Sequence, residues 1–207
     1  MTDLQGLAPA KRIHIIGGSG VGTSTLARSM ASLLKSQAFD TDDFYWHPTD
    51  PPFSQKRSVA ERLDLMEQTF LPRRDWVLSG GLASWGSSLQ HRFTHVILMT
   101  LDPEVRLARL RHRERLRYGT AIEEGGVMEA GYRAFMCWAS GYDHTHFRGR
   151  SIARHRRWLD ALDCPVFELD ASAPPDQLAL TALDLVTQAP ERKSVPLGAT
   201  QRLRRLG

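Results

Sequence analysis

The residues best suited by type and spacing to do chemistry are Gly17, Gly18, Ser19, Gly20, Val21, Gly22, Thr23, Ser24 and Thr25, which follow the apolar run Ile13-His14-Ile15-Ile16. Their spacing is that of a phosphate-cradling turn, G-x-x-x-x-G-K-[ST], with Gly17 and Gly22 framing it and Ser24 at the hydroxyl position. Glycines reach backbone angles closed to other residues, so successive N–H groups can curl around an anion. A helix opening near Ser24 would point its unpaired N–H groups and positive dipole end into the same concavity. The Ser24 hydroxyl is the type of group that ligates the Mg²⁺ travelling with a nucleoside triphosphate. Thr23 stands where the pattern has lysine, so the turn lacks the ammonium that normally reaches the β- and γ-phosphates. A strand-to-helix turn with no ligand is the lesser reading, because strand, loop, helix and hydroxyl fall in the order a phosphate site needs.

Three carboxylates, Asp40, Asp42 and Asp43, lie within four residues. Phosphoryl transfer to an alcohol benefits from a carboxylate that orients the hydroxyl and accepts its proton, and a second can hold Mg²⁺. Asp42 and Asp43 lead as catalytic candidates, Asp42 also as a magnesium ligand with Ser24, and Asp40 and Asp42 as substrate ligands. Helix capping and turn formation are the structural alternative for the same aspartates. Gly80 and Gly81 form a second small-residue cluster, at the end of the third expected strand. Arg106, Arg109 and Arg113 share a helical face at spacings of three and four, and an arginine there can clamp a phosphoryl group bidentately. Arg109 and Arg113 are the candidates taken from that face; ion pairs with Glu104 and Glu114 are the alternative. Arg148, Arg150, Arg154, Arg156 and Arg157 make a second basic region suited to a lid. His144 and His146, near Asp143, lack zinc-ligand spacing. Trp46, Trp85 and Trp138 read as core or cleft walls, with stacking on a planar substrate the lesser option.

Strands are expected over 13–16, 37–39, 75–79, 96–101 and 165–169, and helices after the glycine turn to about 35 and over 58–70, 104–117, 127–138, 151–162 and 177–188. Pro103 suits the first turn of the fourth-strand helix. Strands alternating with helices predict a parallel sheet covered on both faces. In such sheets ligands bind beyond the carboxyl ends of the strands. The glycine turn, the aspartates, Ser79-Gly80-Gly81 and Asp102 all fall at such ends, and that coincidence is the strongest sign of a site.

The chain of 207 residues suffices for one well-buried core, expected over 1–189 with a lid at about 118–157. Of the net charge of +4, all resides in 190–207, where Arg192, Lys193, Arg202, Arg204 and Arg205 face Glu191 alone. Such a tail reads as disordered and solvated, and polyanion binding through it is the lesser alternative. The balance elsewhere argues against nucleic acid as a partner. No apolar run approaches the ~20 residues a membrane span needs, and the first ten residues lack the features of a secretory signal. Cys137 and Cys164 are expected as reduced thiols in a cytoplasmic protein. Nothing in the sequence addresses oligomeric state.

The segment 17–28 resembles the loop and first helix of the P-loop kinases of small molecules and nucleotides, including adenylate-kinase-like, shikimate-kinase-like and nucleoside-kinase-like enzymes. Phe39-Asp40-Thr41-Asp42 is similar to the substrate and magnesium aspartates of shikimate kinases, and Gly80-Gly81 to their substrate-side glycines. Asp42-Asp43-Phe44-Tyr45 also resembles the base-bearing segment of uridine and nicotinamide riboside kinases. The resemblance spans 11–189 in element order. It implies a P-loop fold with five parallel strands and a helical lid, ATP with Mg²⁺, and a small-molecule or nucleotide acceptor. Thr23 departs from that pattern, leaving charge stabilisation to Mg²⁺ and lid arginines, or to Lys56 or Arg57 swinging inward. Lys11 sits at the far end of the first strand, roughly 15–20 Å away at ~3.3 Å per residue. The expected activity is an ATP-dependent kinase; a nucleotide-binding regulator or sensor with little turnover is the alternative that Thr23 raises.

Overall fold

A computed structural model describes residues 9–82 and 84–189; the basic tail, and with it the expectation of disorder or polyanion binding there, lies outside the described residues. Five strands, β1 (Arg12–Gly17), β2 (Ala38–Asp40), β3 (Trp76–Ser79), β4 (His95–Thr100) and β5 (Val166–Asp170), form one sheet in the order β2-β3-β1-β4-β5. Every pairing is parallel. The intervening helices are α1 (Thr23–Leu33), α2 (Thr41–Tyr45), α3 (Val59–Thr69), α4 (Pro103–Tyr118), α5 (Glu129–Ser140), α6 (Ile152–Asp160) and α7 (Pro175–Gln188). The α/β class and the five parallel strands are those expected from the sequence.

Both faces of the sheet are buried, because successive strand side chains point to opposite sides. Ile13, Ile15, Val77, Ile97 and Met99 face α1 and α7, meeting Leu26, Met30, Ala182 and Val186. Ile16, Leu78, Val96 and Leu98 face the other way, onto Met66, Phe70 and Leu159. The chain runs from central β1 to the β2–β3 side and then crosses to β4–β5, so β1 borders the point where strand order reverses. In open α/β sheets the carboxyl ends of the strands at such a point form the ligand crevice.

Two local differences from the sequence reading bear on the site. The second strand starts and ends one residue later than expected, so Asp40 closes β2 and pairs in register with Ser79. The aspartate run beyond it is a five-residue helix, α2, with Asp40 as its N-cap and Asp42 and Asp43 in its first turn. It is shorter than the window over which helical periodicity can be recognised, which is why no helix was expected. A 3-10 segment, Ser87–Arg92, was likewise not anticipated.

Candidate functional site

Gly17 ends β1 so close to β4 that a Cβ would stand 2.8 Å from the Met99 carbonyl. The loop then turns through Gly20 at φ 91° and Gly22 at φ 104°, angles that disfavour any residue with a side chain. Gly22 is the N-cap of α1 and makes no side-chain cap, and the first turn carries no acidic residue. By contrast α2, α4 and α6 are capped by Asp40, Asp102 and Ser151. The head of α1 thus has no side-chain cap and no acidic residue of its own beside a glycine turn, an arrangement suited to an anion. Thr23 is the first residue of the helix.

Asp40 is the junction of the site. Its Oδ2 accepts from Ser24 Oγ at 2.5 Å and from Ser79 Oγ at 2.8 Å. Its Oδ1 accepts from the Asp42 amide at 3.1 Å. The end of β2, the end of β3 and the head of α1 therefore meet on one carboxylate. The side chain bonded to Ser24 is Asp40, whereas the sequence reading paired Ser24 with Asp42. Asp42 is exposed, although neighbouring protein crowds its carboxyl enough to desolvate it in part. Desolvation there, and then the Asp40 charge, hold its carboxyl above the ordinary range, while Arg150 and Arg113 pull it down. Asp43, also in the first turn, is raised by burial and then by Asp40.

Gly80 follows Asp40's partner Ser79 at φ 104°, and a Cβ there would lie 1.9 Å from Thr41 Oγ1. Gly81 accepts the Trp85 indole N–H at 3.1 Å on its carbonyl. Beyond it the Arg62 guanidinium lies 3.7 Å from the centre of the Tyr45 ring and 5.2 Å from that of Trp85. Arg57 donates to the Asp43 and Phe44 carbonyls at 3.0 and 3.2 Å and to that of Trp46. Arg57 is thereby tied to the backbone behind α2, and Lys56 is exposed over the Tyr45 and Trp46 rings. The Trp85 and Tyr45 rings lie 6.2 Å apart between centroids, beside the Gly80-Gly81 turn.

The arginines are sorted differently from the sequence expectation. Arg109 is exposed and donates to the Ala171 carbonyl at 3.2 Å. Arg113 is also exposed and donates twice to its neighbour Glu114, at 2.8 and 2.6 Å. Two other guanidiniums reach the loop. Arg106, 1% exposed, donates to the Ser19 carbonyl at 2.8 Å, the Ala139 carbonyl at 3.0 Å and Asp143 Oδ2 at 2.6 Å. Arg150 donates to Ser19 Oγ at 2.6 Å. Arg106 was legible only as one of several arginines on a helix, and Arg150 only as a member of a basic region. Both act over long sequence separations, which no local pattern records. Of the stretch 118–157, the part from 119 to 150 carries α5 and reaches the loop. From Ser151 onward α6 packs into the core through buried His155 and Leu159.

This sheet order and loop placement define the α/β fold of P-loop kinases. At TM-scores of 0.50 and 0.51 the fold is similar to a gluconokinase from Sinorhizobium meliloti 1021 (14% identity; 86% of this chain and 93% of that one) and to a shikimate kinase from Acinetobacter baumannii solved with shikimate (17%; 86% and 93%). No family model matches the chain. The chain belongs to the same family as the uncharacterized protein YqaC of Bacillus subtilis (strain 168), with 37% identity over 177 residues covering 86% of this chain and 98% of that protein. Among the described residues no helix is long and apolar enough to cross a membrane.

Proposed function

We propose that this protein transfers the γ-phosphoryl group of ATP to a hydroxyl or phosphate oxygen of a small metabolite, nucleoside or nucleotide. The observation that carries this reading is the Asp40 junction. It sets a hydroxyl at the head of α1 beside two carboxylate positions, facing a glycine turn whose helix end is uncapped. Gly17 to Thr25 would hold the phosphates through backbone N–H groups. A magnesium ion bound with a nucleotide needs only one or two protein oxygens, the rest coming from phosphate and water. Ser24 and Asp40 fit that role, and Asp42 is the other carboxylate that would serve as a ligand. When bound, the ion neutralises charge on the β- and γ-phosphates.

For a hydroxyl acceptor, Asp42 orients the attacking oxygen and takes its proton as that oxygen bonds to the γ-phosphorus. The bond from the γ-phosphorus to the β–γ bridging oxygen breaks, leaving ADP, a phosphorylated acceptor and a protonated Asp42. A carboxyl held above its ordinary range is the better base for this step. Asp43 backs the same turn, and Gly80, Gly81 and Trp85 shape the acceptor side. Arg113 bears on the Asp42 charge from α4, while Arg109 borders the β5 end of the crevice. The 119–150 segment would exclude water from the transfer, as a lid does. A cytoplasmic location would supply the ATP. The test is a panel of nucleosides, nucleoside monophosphates and hydroxy or sugar acids with Mg·ATP, scored for phosphorylated product. One acceptor turned over supports the proposal, and no product from any class counts against it.

Thr23 favours a second reading, a nucleotide-binding regulator with little turnover. It would be distinguished by tight Mg·ATP binding with no product across the same panel.

A further inference from the structure

A loop with threonine at position 23 has no full charge of its own to place on a triphosphate, and the partial positive charge of the helix head is less than a cation supplies. Two guanidiniums touch this loop among those described, and both meet it at Ser19. Arg106 is committed elsewhere: it is 1% exposed, with both terminal nitrogens on protein oxygens and Asp143 neutralising it at 2.6 Å. Arg150 is placed differently. Its Nη2 donates to Ser19 Oγ at 2.6 Å, and its Nη1 lies 2.8 Å from where a Cβ on Gly81 would stand. It therefore spans the crevice, touching the donor loop with one nitrogen and the acceptor-side strand end with the other. Its guanidinium carbon is 4.9 Å from the Trp138 ring centre on α5, so the aromatic face steers it from the same 119–150 segment. The carboxylates that act on its charge are Asp42 and Asp40.

We propose that Arg150 is the cation this loop lacks, and that it touches the transferred phosphoryl group. In the usual arrangement the charge is built into the loop. Here it arrives on a separate segment, so the phosphate site is charged only while 119–150 is seated on Ser19. Nucleotide bound with that segment unseated meets no protein cation, which holds back hydrolysis until the acceptor side is also closed. The inference rests on the kinase reading of the site.

The experiment measures binding of inorganic tripolyphosphate and of Mg·ATP, by calorimetry, to the full chain and to Arg150→Ala, Arg150→Lys and the Thr23→Lys/Arg150→Ala pair. Circular dichroism and melting temperature show which variants are folded. Arg150→Ala is expected to weaken tripolyphosphate binding about tenfold or more, as loss of a charge-assisted contact does. Arg150→Lys, which keeps the charge but not the bidentate fork, should fall between. The double variant should regain most of the lost affinity, since lysine at 23 restores charge from inside the loop. Unchanged tripolyphosphate affinity in folded Arg150→Ala, or a folded double variant that regains none, overturns the inference while leaving the kinase reading intact. If the natural chain binds neither probe, the kinase reading falls and this inference with it.

Discussion

The glycine loop and the aspartate turn face each other across one crevice but are made of opposite materials. The loop presents backbone amides on glycines at φ 91° and 104° and a helix head with no acidic residue of its own. The turn after β2 concentrates three carboxylates, two of them in the first turn of a short helix. A surface of amides binds phosphate without moving protons; a desolvated carboxylate moves protons and repels phosphate. The two can share a ligand only if something positive or hydroxylic stands between them. Ser24 and Arg150 occupy that position, one bonded to Asp40 and the other to Ser19.

If the division of labour holds, Asp42→Asn removes proton acceptance without touching the amides. Turnover on any accepted hydroxyl substrate should fall by about 10²–10⁴-fold, with Mg·ATP affinity nearly unchanged by calorimetry. Loss of nucleotide binding instead would mean the turn, not the loop, holds the donor. The natural protein should also show an acid limb in kcat/KM above the ordinary carboxylate range, because Asp42 is raised by desolvation and by Asp40.

A second prediction concerns the support under both regions. His14, on β1, is fully buried beneath the crevice, with Nε2 2.9 Å from the Gly80 carbonyl. Burial lowers its pKa to about 4, and those of His95 to about 4 and His155 to about 3. A histidine whose folded value is depressed binds a proton more readily when unfolded, so stability is lost as pH falls below about 6.5. His14 alone would account for about 3 kcal/mol between pH 6.5 and 4 by that linkage. Urea unfolding across this range checks it; a flat profile would mean the histidines take up protons without unfolding.

The smallest expected effect tests the seam between the regions. Ser79→Ala removes one of the two hydroxyls on Asp40 Oδ2. A loss of about 1 kcal/mol in unfolding free energy is expected, together with a modest weakening of magnesium-dependent nucleotide binding. An effect on turnover as large as that of Asp42→Asn would show that the aspartates act as one unit.

Much of this site was legible in the sequence. Glycine spacing has few uses other than a tight turn, so residues 17–25 could be placed from their pattern alone. Asp40, Asp42, Gly80 and Gly81 were legible as strand-end clusters, since apolar runs betray where buried strands stop. Which aspartate meets Ser24 was not legible, because a one-residue shift in β2 decides it and strand ends are poorly marked by composition. The arginines were least legible. Arg109 and Arg113 had the right spacing on α4 but turn to Ala171 and Glu114. Arg106 and Arg150 reach Ser19 from 87 and 131 residues away.

The sequence by itself determined the layered fold, the glycine-rich turn with threonine at position 23 and the carboxylates beyond the second strand. These are local facts, written in periodicity and in residues with narrow conformational or chemical uses. The tertiary structure alone decided that Asp40 is the junction, that Arg106 is consumed in holding the loop and that Arg150 spans the crevice. Side chains separated by most of the chain meet only after the sheet order is set, and the charge that reaches the loop at Ser19 depends on that meeting.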